Sequence, residues 1–148
     1  MAKRTDPVPV SSFYLDISGK ITGLFRECTG LGSETEVITQ LVAGASGQQV
    51  IMKIPGALKY DNIVLKRGVT DDMQIWEWRK LVEEGKVEKA RMNGTVTMYD
   101  QENKPIAEWT FEQAWPCKVS GPTLNAGTNE IAIEELHIAH EGMRREKV

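Results

Sequence analysis

Two histidines, two cysteines and one pair of adjacent aspartates are the residues here whose chemistry would matter if they came together. His137 and His140 form an HxxH pair, which on a helix would set both rings on one face, as a metal site needs. On a strand, residues three apart point to opposite faces and cannot chelate together. No cysteine or third histidine stands near them, so no metal centre is expected. Cys28 lies in FRECTG between Glu27 and Thr29. A nucleophilic thiolate needs a cationic neighbour and a base, and no recognisable motif ties either histidine to it, so it reads as a small buried apolar residue. Asp71 and Asp72 would suit paired acid/base carboxylates, but a helix start explains them equally well. The glycine-rich AGASG lacks the Gly-Lys-Ser/Thr ending of a phosphate loop. Asn93-Gly94-Thr95 matches a glycosylation sequon, which carries no meaning without a secretion signal. The run EEGKVEKAR reads as a solvated helix end and linker of mixed charge. The chain therefore offers no catalytic site and implies no cofactor.

The elements that would position these residues are mostly strands. FYLDI alternates Phe13, Leu15 and Ile17 against Tyr14 and Asp16, the period of a strand with one buried face. Gly19-Lys20 suits a two-residue hairpin turn with glycine in its first central position, and a second strand runs from Ile21 to Cys28. After the glycines of TGLGS, residues 34–42 (ETEVITQLV) are β-branched and read as a third strand. NIVLKR is a short strand ending at Gly68. TDDMQIWEWRKLVEEG then changes period and predicts one α-helix over about residues 71–84, with Thr70 or Asp71 as N-cap and Gly85 past its end. Ile75, Trp78, Leu81 and Val82 share its apolar face. Strand periodicity resumes with Met92, Val96 and Met98 and returns through a polar turn at 100–104 into Ala107, Trp109 and Phe111. AWPCKVSG reads as a further extended piece, and residues 121–129 as a second loop of turn formers. EIAIEELHIAHEG suits a helix by composition and a strand by its isoleucines; the balance favours strand, with a β-bulge near Glu134 to explain a change of apolar parity.

With 148 residues, 41% hydrophobic and 26% charged, the chain fits a single domain spanning 1–148, mainly β, of seven or eight strands with one helix, in a small barrel or sandwich. A net charge of −3 disfavours a protein that grips nucleic acid through phosphates. No apolar run approaches the length that crosses a bilayer, and MAKRTDPVPV has no apolar signal core, so cytoplasmic synthesis is expected. Two cysteines are too few for a disulfide scaffold.

Residues 43–60 (AGASGQQVIMKIPGALKY) resist an ordinary reading. The stretch starts with small, flexible residues and then places Val50, Ile51, Met52, Ile54 and Leu58 where a loop would be polar. Long connections in compact domains are functional or disordered, and this one is too apolar for disorder. Exposed apolar groups mark a partner surface, unless the segment folds back over its own core.

The strings SGKITGLFRECTGL, KIPGALKYDNIVLKRGVTDDMQIWEW and EWTFEQAWPCKVSGPTLNAGTNEIAIEELHIAHEG closely resemble the inner tube proteins of contractile phage tails and phage-tail-like injection systems, over about residues 6–142. Cys28 and Cys117 depart from the small or aliphatic residues expected there. The resemblance implies two packed antiparallel sheets in a barrel-like body with one flanking helix, a fold shared with the type VI secretion tube protein. It implies hexameric rings stacked into a rigid tube inside a contractile sheath, with baseplate or spike adaptor proteins and a tape measure as further partners. Lumen cargo would be effector protein or, in the alternative reading as a phage tail tube, DNA. Neither specific nucleic-acid recognition nor membrane insertion is implied, and the role is structural rather than enzymatic. The candidate inter-ring segment comprises Ser46, Gly47, Gln48, Gln49, Val50, Ile51, Met52, Lys53, Ile54 and Pro55. Candidate lumen-facing residues are Thr95, Thr97, Glu108, Thr110 and Glu112, because a bore needs a hydrated wall. A small β-rich ligand-binding module is the alternative from a different class.

Overall fold

The computed structural model describes residues 10–122 and 132–148, and most of the expected 121–129 loop lies outside them. The fold is mainly β, with ten strands and two helices among the described residues. The first strands are β1 (Val10–Ile17), β2 (Ile21–Phe25), β3 (Glu27–Thr29), β4 (Ser33–Ala43), β5 (Gln49–Tyr60) and β6 (Ile63–Gly68). Helices α1 (Gln74–Glu83) and α2 (Val87–Ala90) precede β7 (Met92–Asp100), β8 (Pro105–Ser120), β9 (Ile133–Ala139) and β10 (Gly142–Glu146). One sheet runs β2-β1-β7-β8-β9-β6-β3, with β10 added to β8, while β4 and β5 pair only with each other.

Two corners turn this sheet into a barrel-like body. The first half of β8 pairs with β7 and β10, and its second half with β9. At the corner Glu112 and Gln113 are both exposed, Gln113 has φ 53°, and the buried positions change from Ala107 and Phe111 to Ala114 and Pro116. An added residue of this kind bends a strand and lets it switch sheets. The second corner is Arg26, the single residue between β2, which pairs with β1, and β3, which pairs with β6. Its N–H donates to the Lys66 carbonyl at 2.9 Å, so the two ends of the sheet almost meet without closing a continuous ladder. Leu15, Ile17, Phe25, Ile63, Leu65, Val96, Phe111, Leu136 and Ile138 fill the space between the layers. Gly94 is required there, because a Cβ would lie 2.5 Å from Ile17 Cδ1 and 2.9 Å from the Phe111 ring.

Several sequence expectations change. The first turn has Ser18 and Gly19 both at positive φ, 51° and 70°, so glycine takes the second central position, and three residues separate the paired Ile17 and Ile21. The expected second strand divides at Arg26. Helix α1 starts at Gln74 rather than 71: Thr70 Oγ1 accepts from the Asp72 N–H and Asp72 Oδ1 from the Gln74 N–H, which spends both side chains on turns ahead of the helix. Its end is as expected. Gly85 at φ 80° lets its own N–H reach Val82 O and the Lys86 N–H reach Leu81 O, a Schellman closure. The mixed-charge segment is no plain linker, since it contains α2, whose Ala90 is buried and accepts from Trp78 Nε1–H at 2.7 Å. The final segment is strand, but β6 and β9 pair without a register shift. The apolar parity changes because the inward position at 134 is a charged residue.

That residue, Glu134, meets Arg67 across the β6–β9 pair. Arg67 Nε donates to Glu134 Oε1 at 2.9 Å with side-chain exposures of 6% and 2%. Trp76 Nε1–H donates to Oε2 at 2.8 Å, and the guanidinium lies 5.1 Å from the Phe25 ring centroid. Both carboxylate oxygens are satisfied, which a buried charge demands.

Candidate functional site: an apolar arm and a polar wall

Most of residues 43–60 is not a loop. After a turn in which the Gly44 N–H donates to Gln48 O and Gly47 has φ 76°, residues 49–60 are strand β5, zipped to β4 from Ser33↔Tyr60 out to Ala43↔Gln49. Strand β4 is 11 residues, which gives an arm about 35 Å long. A bulge between Thr35 and Val37 divides it; Gly56 sits there, where a Cβ would press on Glu36 O and the Ile38 side chain at 3.2 Å.

Residues directly opposite in an antiparallel pair share a face, so the register gives the two surfaces of the arm. One carries Ile38, Ile54, Met52, Val42 and Val50, interrupted by Gln40; the other carries Val37, Pro55, Leu41 and Ile51, interrupted by Thr39 and Lys53. Seven of the eleven exposed large hydrophobics among the described residues are on this arm, with Leu41 at 62% and Ile51 at 63%. The segment therefore does not fold back over its own core. An isolated two-stranded ribbon is marginal in water, and this one exposes grease on both sides. Covering each such side chain is worth on the order of 1 kcal/mol.

The ten residues Ser46 to Pro55 occupy the arm's turn and the outer part of β5. Sequence reasoning missed the contribution of β4, whose Val37, Ile38 and Leu41 are as exposed as their partners. The β-branched content of ETEVITQLV was the available signal for a strand, but nothing in it signalled exposure on both faces.

The five residues on β7 and β8 come together on one face. Thr95 pairs with Thr110 and Thr97 with Glu108, while Glu112 pairs with Gly142 of β10. Asp16 and Tyr14 of β1 continue the face beside Thr95 and Thr97, and Arg144 and Glu146 of β10 continue it on the other side. Thr97 is buried, Glu112 exposed and the rest half-buried. Thr110 Oγ1 lies 3.3 Å from Glu146 Oε1, and Arg144 Nε 3.6 Å from the same oxygen. On β1, β7, β8 and β10 this face sets Asp16, Glu108, Glu112 and Glu146 against Arg144, a net acidic wall.

Of the groups first considered for chemistry, Cys117 and His137 touch only through the His137 carbonyl, which accepts from Cys117 Sγ–H at 3.4 Å. His137 Nε2 is 3.1 Å from Glu135 Oε2, a contact that, together with Lys66, holds the Glu135 carboxyl below the usual carboxylate range. His140 instead donates from Nε2 to Asp61 O at 3.1 Å and lies against Tyr60 and Phe111. Burial pushes the Cys28 thiol up to about 12, and raises Cys117 as well. Both cysteines are free thiols. No group of three or more His, Cys, Asp or Glu able to hold a metal occurs among the described residues. No helix among them is long and apolar enough to cross a membrane.

The model of the T4-like virus tail tube protein gp19 family matches residues 9–144. The chain is a member of the tail tube protein family. No curated protein matches it. Among solved structures, the chain is similar to one from the extended sheath-tube complex of PVC, an extracellular contractile injection system, at 22% identity and TM-score 0.75, covering 96% of this chain and 93% of that one. It is similar to one from the tube-terminating cap of the anti-feeding prophage at 20% identity and TM-score 0.77, covering 100% and 96%. Hcp1 from Flavobacterium johnsoniae shares 15% identity at TM-score 0.55, covering 91% and 94%. The barrel-like body is thus a tail-tube fold, and this tail tube protein belongs to a structural family.

Proposed function

We propose that this tail tube protein forms the inner tube of a contractile injection system, in hexameric rings stacked inside a sheath and driven outward when the sheath shortens. The single observation that carries the reading is the arm: some 35 Å of ribbon, apolar on both faces, finds no stabilising surface among the described residues. A neighbouring ring supplies that surface. Sheath, baseplate and cap contacts follow from the company kept by the similar structures, a sheath-tube complex, a baseplate and a tube cap. Spike adaptors and a tape measure complete the partners. The protein catalyses no reaction and acts by assembly.

The acidic face containing Thr95, Thr97, Glu108, Thr110 and Glu112 lines the bore in this reading. Carboxylates there repel a polyanion and keep the wall hydrated, so whatever passes does not stick. That property serves DNA in a phage tail as well as an effector in an injection particle. The likeness to a chain of the PVC contractile injection system favours the second. Side-chain-resolution electron microscopy of the native particle tests the proposal: the axial tube should be built of this chain, with the arm between rings. A tube built of another protein would refute it. Hydrogen exchange gives an independent measure, with residues 33–60 expected to gain protection on assembly while β6 and β9 change little.

A further inference from the structure

The arm needs a receptor, and we infer that it is the short loop 69–73 of a copy in the adjacent ring, built around Val69, Asp71 and Met73. This rests on the tube reading, and names the partner surface of the same contact. Strand β6 begins three residues after the arm ends at Tyr60 and finishes at Gly68, immediately before Val69. Its six residues span about 20 Å, so the arm's base and loop 69–73 lie at opposite ends of the body. A subunit with a plug at one end and a socket at the other makes head-to-tail contacts that propagate without closing, as stacking requires.

The loop has the composition of a socket. Away from the arm, the exposed large hydrophobics among the described residues are Leu24, Val69, Met73 and Val148, and only Val69 and Met73 fall within one short loop, at 52% and 56% exposure. Its backbone is pinned on every side: the Val69 N–H donates to Ala132 O, Arg67 Nη2 to Asp72 O, and Thr70 and Asp72 form the turns that open α1. A loop held this firmly with two apolar side chains turned outward is pre-organised for contact. Charge matches as well. Lys53 interrupts the Val37–Leu41–Ile51 face of the arm, and Asp71 separates Val69 from Met73. Among the described residues neither Lys53 nor Asp71 has an ion-pair partner within its own chain.

Cysteine pairing in assembled tubes tests this. In a full-length chain with Cys28 and Cys117 replaced by alanine, Ile51→Cys and Met73→Cys should yield a ladder of disulfide-linked oligomers once tubes form. The two cannot bridge within one copy, because a disulfide needs Cα atoms within about 7 Å. Tubes at normal yield with no ladder, or cross-links to another protein, would overturn the assignment while leaving the tube reading intact. Absence of the unmodified chain from the native tube would remove both. As a second measurement, Asp71→Lys should lower tube yield at least about tenfold, and adding Lys53→Asp should restore it. An unchanged yield with Asp71→Lys, or no recovery in the double variant, counts against the pairing. The melting temperature of the free subunit should not move in either variant.

Discussion

Arg67 and Glu134 hold the body together at the cost of burying two charges, and their effect is measurable. Arg67→Met leaves the Glu134 carboxyl in the interior without its cationic partner, and should cost about 3–5 kcal/mol in chemical denaturation. The double variant Arg67→Met with Glu134→Leu should recover most of that loss, because it removes both charges. This pair also explains an error of sequence reading. An inward slot filled by glutamate looks like a break in strand periodicity, and a bulge at 134 was the natural inference; the clue to the true register was Arg67, which fills an inward slot in the alternation of NIVLKR. Cys28, expected to be a small buried residue, is half-buried and packs against the core. With its thiol pushed up to about 12, it should react with maleimide at pH 8 far more slowly than free cysteine, whereas Cys117 should label sooner. The sign for stability follows: the raised value contributes fully below the unfolded thiol pKa of about 8.5 and is lost as pH climbs toward the folded value. Labelling of Cys28 in the folded subunit as fast as that of free cysteine would show that its thiol is not desolvated.

Among the elements, the arm separates folding from assembly. Its side chains touch solvent, so Leu41→Glu with Ile51→Glu should leave the melting temperature of the free subunit within about 2 °C of the parent while abolishing tubes in negative-stain micrographs. A fall of about 10 °C would mean that the arm packs on the body after all. The sequence marked this stretch as unusual, yet reading most of it as a loop followed from a rule that fails here. Strand periodicity is recognised by one buried face, and among the described residues β4 and β5 have none. Helix α1 was legible in type, apolar face and C-terminus. Its start was not, because Thr70 and Asp72 have cap chemistry but use it on the turn before the helix. Short α2 was hidden in a charged segment whose one buried residue is an alanine.

At the scale of the whole molecule, the mainly β class and the order of most strands could be read from alternation, whereas the two corners could not. Gln113 at positive φ and Arg26 between two pairings are properties of the folded-over sheet, not of local pattern. β10 is short and polar, so it took tertiary pairing with β8 to define it. If rings stabilise their members, the assembled tube should melt above the free subunit by calorimetry, and the gap should widen with protein concentration. Equal melting points at all concentrations would indicate that contacts between copies contribute nothing. The course of β8 adds a mechanical corollary. One unbroken length of peptide is stitched into both layers, so a shove against either wall has to stretch covalent bonds or peel a whole ladder before the layers can slide. Such a joint resists shear in the way a welded angle does, a strength that the proposed role in a driven tube would call upon.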